Sequence, residues 1–343
     1  MADRPRYSRV QLEQYFDRIG LPVPERHYSV AALAGDDERL AYLSLLKKHV
    51  LVRIPFENLA QHYSWHRTVD VRPQHVFDKI IRNHPPARGG YCMEANTLFH
   101  TVLLSLGYKV FMAGARVYTP EHERYGGFSH CVNIATIGDQ RYMLDVGFGG
   151  NGPTGPIPLV AAKEGGMGMP HVRGSPARIR LVRGPIPQQV DQGCEVWIYQ
   201  HCVDPKEGGK NAEATWTPLY CFVDFEFLPE DIRGMNLSPW RSPTSFFTYR
   251  VMLTRFTTNL ETDDASQGGG PGQASDRAVS EGEIDGALIL FHDTLKWRRG
   301  GQTRVEIRLE SEAQRIDSMR RYFGIVLAEG DREAIHGTAS ELK

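Results

Sequence analysis

The chain has 343 residues, of which 41% are apolar, and 40 Lys and Arg against 41 Asp and Glu give a formal net charge of -1. That balance argues against a nucleic-acid protein, which needs a basic surface to neutralise phosphate, and no run approaches the ~18 unbroken apolar residues of a membrane-spanning helix. The length predicts two or three domains at roughly 100–200 residues each.

Five cysteines (Cys92, Cys131, Cys194, Cys202 and Cys221) are an odd number at low density with no C-x-x-C pair, so neither a disulfide framework nor a zinc site is expected. The segment Met1 to Arg9 is polar and basic, with no apolar signal core after it, which predicts a cytoplasmic protein.

In chain order, the first third reads as helical. Ser8 caps a helix carrying Val10, Tyr15, Phe16 and Ile19, which Gly20 and Pro22 stop. Asp36 or Asp37 starts a second, with Leu40, Leu43, Leu46 and Val50 at helical spacing. A short helix is expected near Val76 to Ile81. From Cys92 to Leu106, the residues Leu98, Phe99, Val102, Leu103 and Leu106 share one face, and Gly107 ends the helix. Cys92 therefore sits in the first turn, where N–H groups are unpaired and the dipole is positive.

The period then changes to two. Strands are predicted at Val110–Tyr118, Cys131–Ile137 and Arg141–Val146, the last two joined by a tight turn at Gly138-Asp139. More follow at Arg178–Arg183, Glu195–His201 and Leu219–Phe225, in an antiparallel sheet or small barrel. The Gly- and Pro-rich stretch Asn151–Ser175 and the polar stretch Asp204–Ala214 read as loops, and Thr262–Gly286 as a mobile low-complexity insert. Strands near Tyr249–Phe256, Ala287–His292 and Thr303–Leu309 precede a helix capped by Ser311 that runs to about Tyr322.

Three segments carry candidate chemistry. Arg88-Gly89-Gly90-Tyr91-Cys92 delivers a cysteine through a tight turn to a helix start; such a position, or a neighbouring imidazolium, lowers a thiol pKa from ~8.5 to roughly 3.5–7.5. Gly126-Gly127-Phe128-Ser129-His130 offers a general base at a strand entrance. Asp145-Val146-Gly147-Phe148-Gly149-Gly150 offers a carboxylate to orient that base, with a turn whose N–H groups suit an anion. Each segment alone has a bland alternative: a buried small residue, a satisfied histidine, an ordinary turn. Together they read as a triad, with His130 38 residues after Cys92 and Asp145 15 after His130 on an adjoining strand. Papain-like and transglutaminase-like enzymes use the same logic, so a thiol hydrolase of that kind is an alternative, as is a non-catalytic binding module on the same fold.

With Tyr15-Phe16-Asp17-Arg18-Ile19-Gly20, Ile54-Pro55-Phe56-Glu57-Asn58-Leu59, Asn96 and Ser242-Pro243-Thr244-Ser245 added, the chain resembles the arylamine N-acetyltransferases from about residue 10 to 260. Its length resembles the fungal members. The resemblance implies an α+β fold: a helical bundle over 1–110 carrying the cysteine, a central antiparallel β-barrel over 111–228 carrying His130 and Asp145, and an α/β lid over 229–343 containing the insert 262–286. It implies acyl transfer from acetyl-CoA to an arylamine or arylhydrazine through an acyl-cysteine, without a metal. Some fungal members prefer malonyl-CoA, for which Arg241 is a candidate carboxylate partner. Coenzyme contacts carry over to Gly126, Gly127, Thr244 and Ser245, although Gly126 stands where many relatives have Thr. Phe56, Tyr91 and Phe148 are expected to line the amine pocket. Arg18, Glu57 and Arg88 are expected to form a buried charge cluster bracing the cysteine turn. The expected partners are coenzyme A and a small aromatic amine, with no nucleic acid and no membrane; the oligomeric state stays open, with a monomer favoured.

Overall fold

The structure, a computed structural model, describes residues 4–83, 88–162, 166–203, 215–263 and 269–343. Helix α1 (Arg9–Arg18) starts where Ser8 Oγ accepts from Gln11 N and the Gln11 side chain answers to Ser8 N. Helix α2 (Asp36–Arg53) places Asp36, Asp37 and Glu38 in its positive first turn. Strand β1 (Phe56–Glu57) follows. The helix expected near residues 76–81 is α3 (Pro73–Phe77), which widens into a π turn over Asp78–Arg82. Helix α4 (Cys92–Leu106) stops at Gly107, whose φ of 92° lets the chain close the last turn. It is buried on nearly every side, so the remaining elements are arranged around it.

Among the described residues the first sheet has eight strands: β2 (Lys109–Thr119), β3 (Arg124–Ile137), β4 (Gln140–Leu144), β5 (Ile157–Pro158), β6 (Met169–Pro170), β7 (Arg178–Gly184), β8 (Val196–Cys202) and β9 (Thr217–Phe222). Their order is β5-β4-β3-β2-β9-β8-β7-β6, all antiparallel. The expected barrel is therefore an open half-barrel with β5 and β6 as edges. The stretch 151–175, expected to be a loop, supplies both edge strands. The expected loop at 204–214 lies outside the described residues.

Sequence reasoning passed over helix α5 (Pro229–Arg241): Pro229, Glu230 and Asp231 suit a helix start, but Gly234 and Pro239 inside it lower helix propensity. Helix α6 (Asp276–Glu281), capped by Ser275, corrects the reading of 262–286 as one unstructured insert. Strands β10 (Met252–Thr258), β11 (Ile284–Phe291), β12 (Thr294–Arg299) and β13 (Gln302–Arg308) join β1 in a second antiparallel sheet, ordered β1-β10-β11-β12-β13. Helices α7 (Glu312–Phe323), capped by Ser311 as expected, and α8 (Glu329–Glu333) complete the chain. No helix among the described residues is long and apolar enough to cross a membrane.

Candidate active site

The turn into α4 is built on glycine. A Cβ at Gly89 would lie 1.8 Å from the Pro55 carbonyl oxygen, so no other residue fits between the two chain segments. Beneath it is a buried ion cluster. Arg88 Nε and Nη2 reach Glu57 Oε1 and Oε2 at 2.9 and 3.3 Å, and Gly89 N and Leu59 N donate to the same carboxylate at 3.2 and 2.6 Å. Lys79, on the π turn, lies 3.7 Å from Glu57 and 2.8 Å from Glu94. Burial alone would push the Glu57 carboxyl up; the charges of Arg88 and Lys79 and these hydrogen bonds outweigh it and hold it at about 2. Glu94, more weakly compensated, is shifted up by burial. The cluster thus includes Lys79 and Glu94, which sequence reasoning missed, while Arg18 donates to the carbonyls of Ile80, Arg53 and Arg88.

The structure brings Cys92, His130 and Asp145 together. Strands β2 and β3 pair Ala115 with His130 but Arg116 with Phe128, leaving Ser129 as an extra residue in a bulge. Bulges re-aim neighbouring side chains, and here the Ser129 carbonyl lies 3.9 Å from Cys92 Sγ. Asp145 follows directly after β4, across the hairpin from β3. His130 Nε2 lies 2.7 Å from Asp145 Oδ2, which leaves Nδ1 for the thiol. Asn96 Nδ2 and Gly147 N donate to Asp145 Oδ1 at 3.0 and 2.8 Å. Gly147 also packs on the cysteine backbone: a Cβ there would sit 2.7 Å from Cys92 Cα.

The three side chains are almost sealed from solvent, at 3%, 2% and 1% exposure for Cys92, His130 and Asp145. Burial lowers the imidazole pKa, but the Asp145 charge and hydrogen bond, with a hydrogen bond and charge from Cys92, raise it to about 10. Burial raises the Asp145 carboxyl; His130, Asn96 and Gly147 together bring it below its ordinary value. The arrangement can store charge as an imidazolium between a carboxylate and a thiolate.

Phe148 faces the His130 ring at a centroid distance of 5.1 Å and Tyr220 at 4.7 Å. Phe56 and Tyr91 both contact Phe247, at 6.1 and 5.8 Å. Tyr91 is fully buried, and its hydroxyl donates to Asn236 Oδ1 on α5, so its oxygen serves as a tie to that helix. Phe128, Phe227 and Phe247 pack in the same cluster as Cys92; sequence reasoning passed over Phe227 and Phe247 because they lie on α5-flanking segments without a motif, and over Phe128 because its neighbour His130 drew the chemistry. Gly126 and Gly127 are exposed on β3, beside a shallow groove lined by Arg116 and His122. Thr244 and Ser245 lie in the turn after α5, where Thr244 Oγ1 bonds Ser242 Oγ at 2.9 Å and Ser245 Oγ donates to the Pro239 carbonyl at 2.9 Å. Arg241 is exposed, 5.0 Å from the Trp240 ring centroid. Among the described residues no group of three His, Cys, Asp or Glu side chains is arranged to hold a metal ion.

Known proteins share both sequence and fold. A family model described as N-acetyltransferase matches residues 39–262. An N-malonyltransferase, FDB2, of Fusarium pseudograminearum is 33% identical over 96% of this chain and 93% of its own length. The arylamine N-acetyltransferase of Mycobacterium abscessus superposes with a TM-score of 0.70 at 25% identity, covering 98% of this chain and 100% of that one. A Mycobacterium marinum arylamine N-acetyltransferase, solved in complex with CoA, gives 0.68 at 24% identity over 96% of this chain and 99% of that one. The model match over most of the chain and the near full-length relative lead to one conclusion: this protein belongs to the arylamine N-acetyltransferase family.

Proposed function

We propose that this acyltransferase moves a short acyl group from acyl-CoA to the amino group of an arylamine or arylhydrazine through an acyl-cysteine. The observation that carries the reading is the 2.7 Å His130–Asp145 bond, with the Cys92 thiol hydrogen-bonded to the same imidazole and placed at the positive end of α4. The Cys92 thiolate attacks the thioester carbonyl; the carbon–sulfur bond to coenzyme A breaks, and coenzyme A leaves as the thiol with the proton from His130. The amine then attacks the acyl-cysteine, His130 takes the proton released from its nitrogen, and the Cys92 thiolate returns. A thioester is exchanged for a thioester in the first half, so positioning and charge are the enzyme's main contributions. Asp145 orients the ring, Phe148 and Phe56 supply flat walls to the aryl group, and Gly126, Gly127, Thr244 and Ser245 are the proposed coenzyme contacts. The proposed layout divides the chain near residues 110 and 228.

Malonyl-CoA is the favoured donor over acetyl-CoA on one observation: the relative similar over 96% of the chain is named an N-malonyltransferase. The test is to incubate the protein with each donor separately and weigh it. One acyl mass on Cys92, discharged by aniline, is the expected result, with faster loading from malonyl-CoA. Absence of acylation by either donor removes the reading, and faster loading from acetyl-CoA removes the donor preference.

A further inference from the structure

A cavity of about 480 Å³ runs along the later turns of α4, away from the thiol at its start. Its walls include Val71, Leu104, Met112, Phe227 and Ile232, and His100 faces it from α4. The volume falls in the range of small-molecule sites, and polar and charged side chains stand among the apolar ones on the walls. Three arginines stand on its lining, but each is already paired: Arg4 with Glu226, Arg72 with Asp70 and Arg233 with Glu230. The cavity therefore has no spare cation for an anionic ligand. The hydroxyls of Thr97 and Thr101 are also engaged, by the Met112 sulfur and the Thr97 carbonyl.

Gln74 accepts from Gln11 Nε2 at 3.2 Å and donates to Asp78 Oδ1 at 3.0 Å, and Glu226 and Glu230 are the partners of Arg4 and Arg233; the further polar side chain on the lining is His100. Asn133 Nδ2 donates to Asn96 O and Oδ1 at 3.1 and 3.4 Å, so Asn133 Oδ1 is the atom 3.0 Å from His100 Nδ1, and that nitrogen carries the proton. Burial, against the hydrogen bond to Asn133, lowers the His100 pKa to about 4, so the ring is neutral and Nε2 is an acceptor. The bonds continue in one sense: His100 N–H to Asn133, Asn133 amide to Asn96, and Asn96 amide to Asp145 Oδ1 at 3.0 Å. Phe227 and Ile232 line the cavity and also pack in the cluster around Cys92.

We propose that this cavity is a second small-molecule site, for a neutral planar aromatic carrying one O–H or N–H donor, which His100 Nε2 accepts and whose binding reaches Asp145 through Asn133 and Asn96. A donor on Nε2 makes Nδ1–H a stronger donor, and polarisation along a hydrogen-bonded chain passes the same sense to the next amide. Asp145 becomes a weaker base and supports the His130 imidazolium less. The site itself does not depend on the acyl-transfer reading; only its effect on the thiol uses the contact between His130 and Cys92.

The probe is 1-naphthol, with 1-methoxynaphthalene as the partner lacking the donor. Calorimetry on the full chain is expected to show 1-naphthol bound about fivefold more tightly, the effect of one hydrogen bond. Leu104→Trp, which fills the cavity, is expected to abolish binding, and His100→Phe to erase the difference between the probes. A crystal of the unaltered protein soaked in 1-naphthol gives the same answer without a variant: the naphthalene lies beside Leu104 with its oxygen on His100 Nε2. Saturating 1-naphthol is expected to move the pH profile of Cys92 alkylation by iodoacetamide to higher pH, and not in Leu104→Trp. Binding that survives Leu104→Trp, or a soaked ligand seated elsewhere, overturns the site. Equal affinities for the two probes overturn the donor recognition, and an unmoved alkylation profile overturns the coupling.

Discussion

At the scale of single residues, charge is held where solvent is absent. Glu57 is fully buried yet stays ionised because Arg88, Lys79 and two backbone N–H groups surround it. Its pKa falls from an ordinary 4.5 to about 2, so its contribution to stability is complete above the ordinary value and is lost as pH falls through about 2. Glu57→Gln leaves Arg88 buried without its partner, and the expected cost is about 3–5 kcal/mol in denaturant unfolding. The variant should also lose part of the acid-induced fall in stability between those two pH values; an identical acid titration of both proteins would contradict the assignment. His130 has the opposite sign. Its pKa is raised to about 10 by Asp145 and Cys92 against burial, so the charged ring is retained through neutral pH and its stabilisation fades as pH rises through that value. Asp145→Asn removes the largest raising influence. The imidazole resonance should then titrate well below 10 in NMR, and acyl transfer should fall about 10²–10⁴-fold. An unshifted titration would show that the carboxylate does not govern the ring.

At the scale of elements, α4 was legible end to end because its signals are local: an apolar face, a tight turn before it and Gly107 after it. The π turn after α3 was not; the pairs that Lys79 makes from it with Glu57 and Glu94 are tertiary contacts with no local pattern to announce them. Strand β12 was passed over although its alternation is regular, with Leu295 and Trp297 buried between Thr294, Lys296 and Arg298. The meeting of residues 92, 130 and 145 could be anticipated from the Gly138-Asp139 hairpin, whereas the bulge at Ser129 has no mark in a single sequence. Helix α5 was hidden by its Gly and Pro, and it packs beside the thiol: Ile232 and Met235 lie in the cluster of Cys92, and Asn236 holds Tyr91 and the Val69 carbonyl. Asn236→Ala strands a buried phenol and a carbonyl, so it should destabilise the protein by about 1–3 kcal/mol. It should also loosen that packing, with iodoacetamide reaching Cys92 several-fold faster in native conditions, as local opening requires. A normal alkylation rate in that variant would mean that α5 does not gate the thiol.

At the scale of the whole molecule, the two ends of the chain are fastened to each other around the cysteine turn. Strand β1, from the helical third, is the edge strand of the second sheet and pairs Phe56 with Thr254 and Glu57 with Leu253. The same residue Phe56 bridges to Gly90, two residues before the thiol. Further ties repeat the pattern: Lys48 Nζ to the Ser280 carbonyl at 2.8 Å, Tyr63 Oη to Glu312 at 2.7 Å, and Trp65 Nε1 to the Gly330 carbonyl at 2.8 Å. Opening the second sheet therefore frees β1, and with β1 goes the carboxylate of Glu57 that supports the turn before Cys92. Chains of this length often unfold domain by domain, but this connectivity predicts that the second sheet and the thiol are lost together. Trp297 is buried in the second sheet, so tryptophan fluorescence in a protein keeping only that tryptophan reports its unfolding, and reaction of Cys92 with a thiol reagent reports the other. The two denaturant curves should share one midpoint and one slope. A thiol exposed at lower denaturant than Trp297 would show instead that the turn is held by the helices alone, and that pairing of β1 with β10 follows from the fold without securing the site.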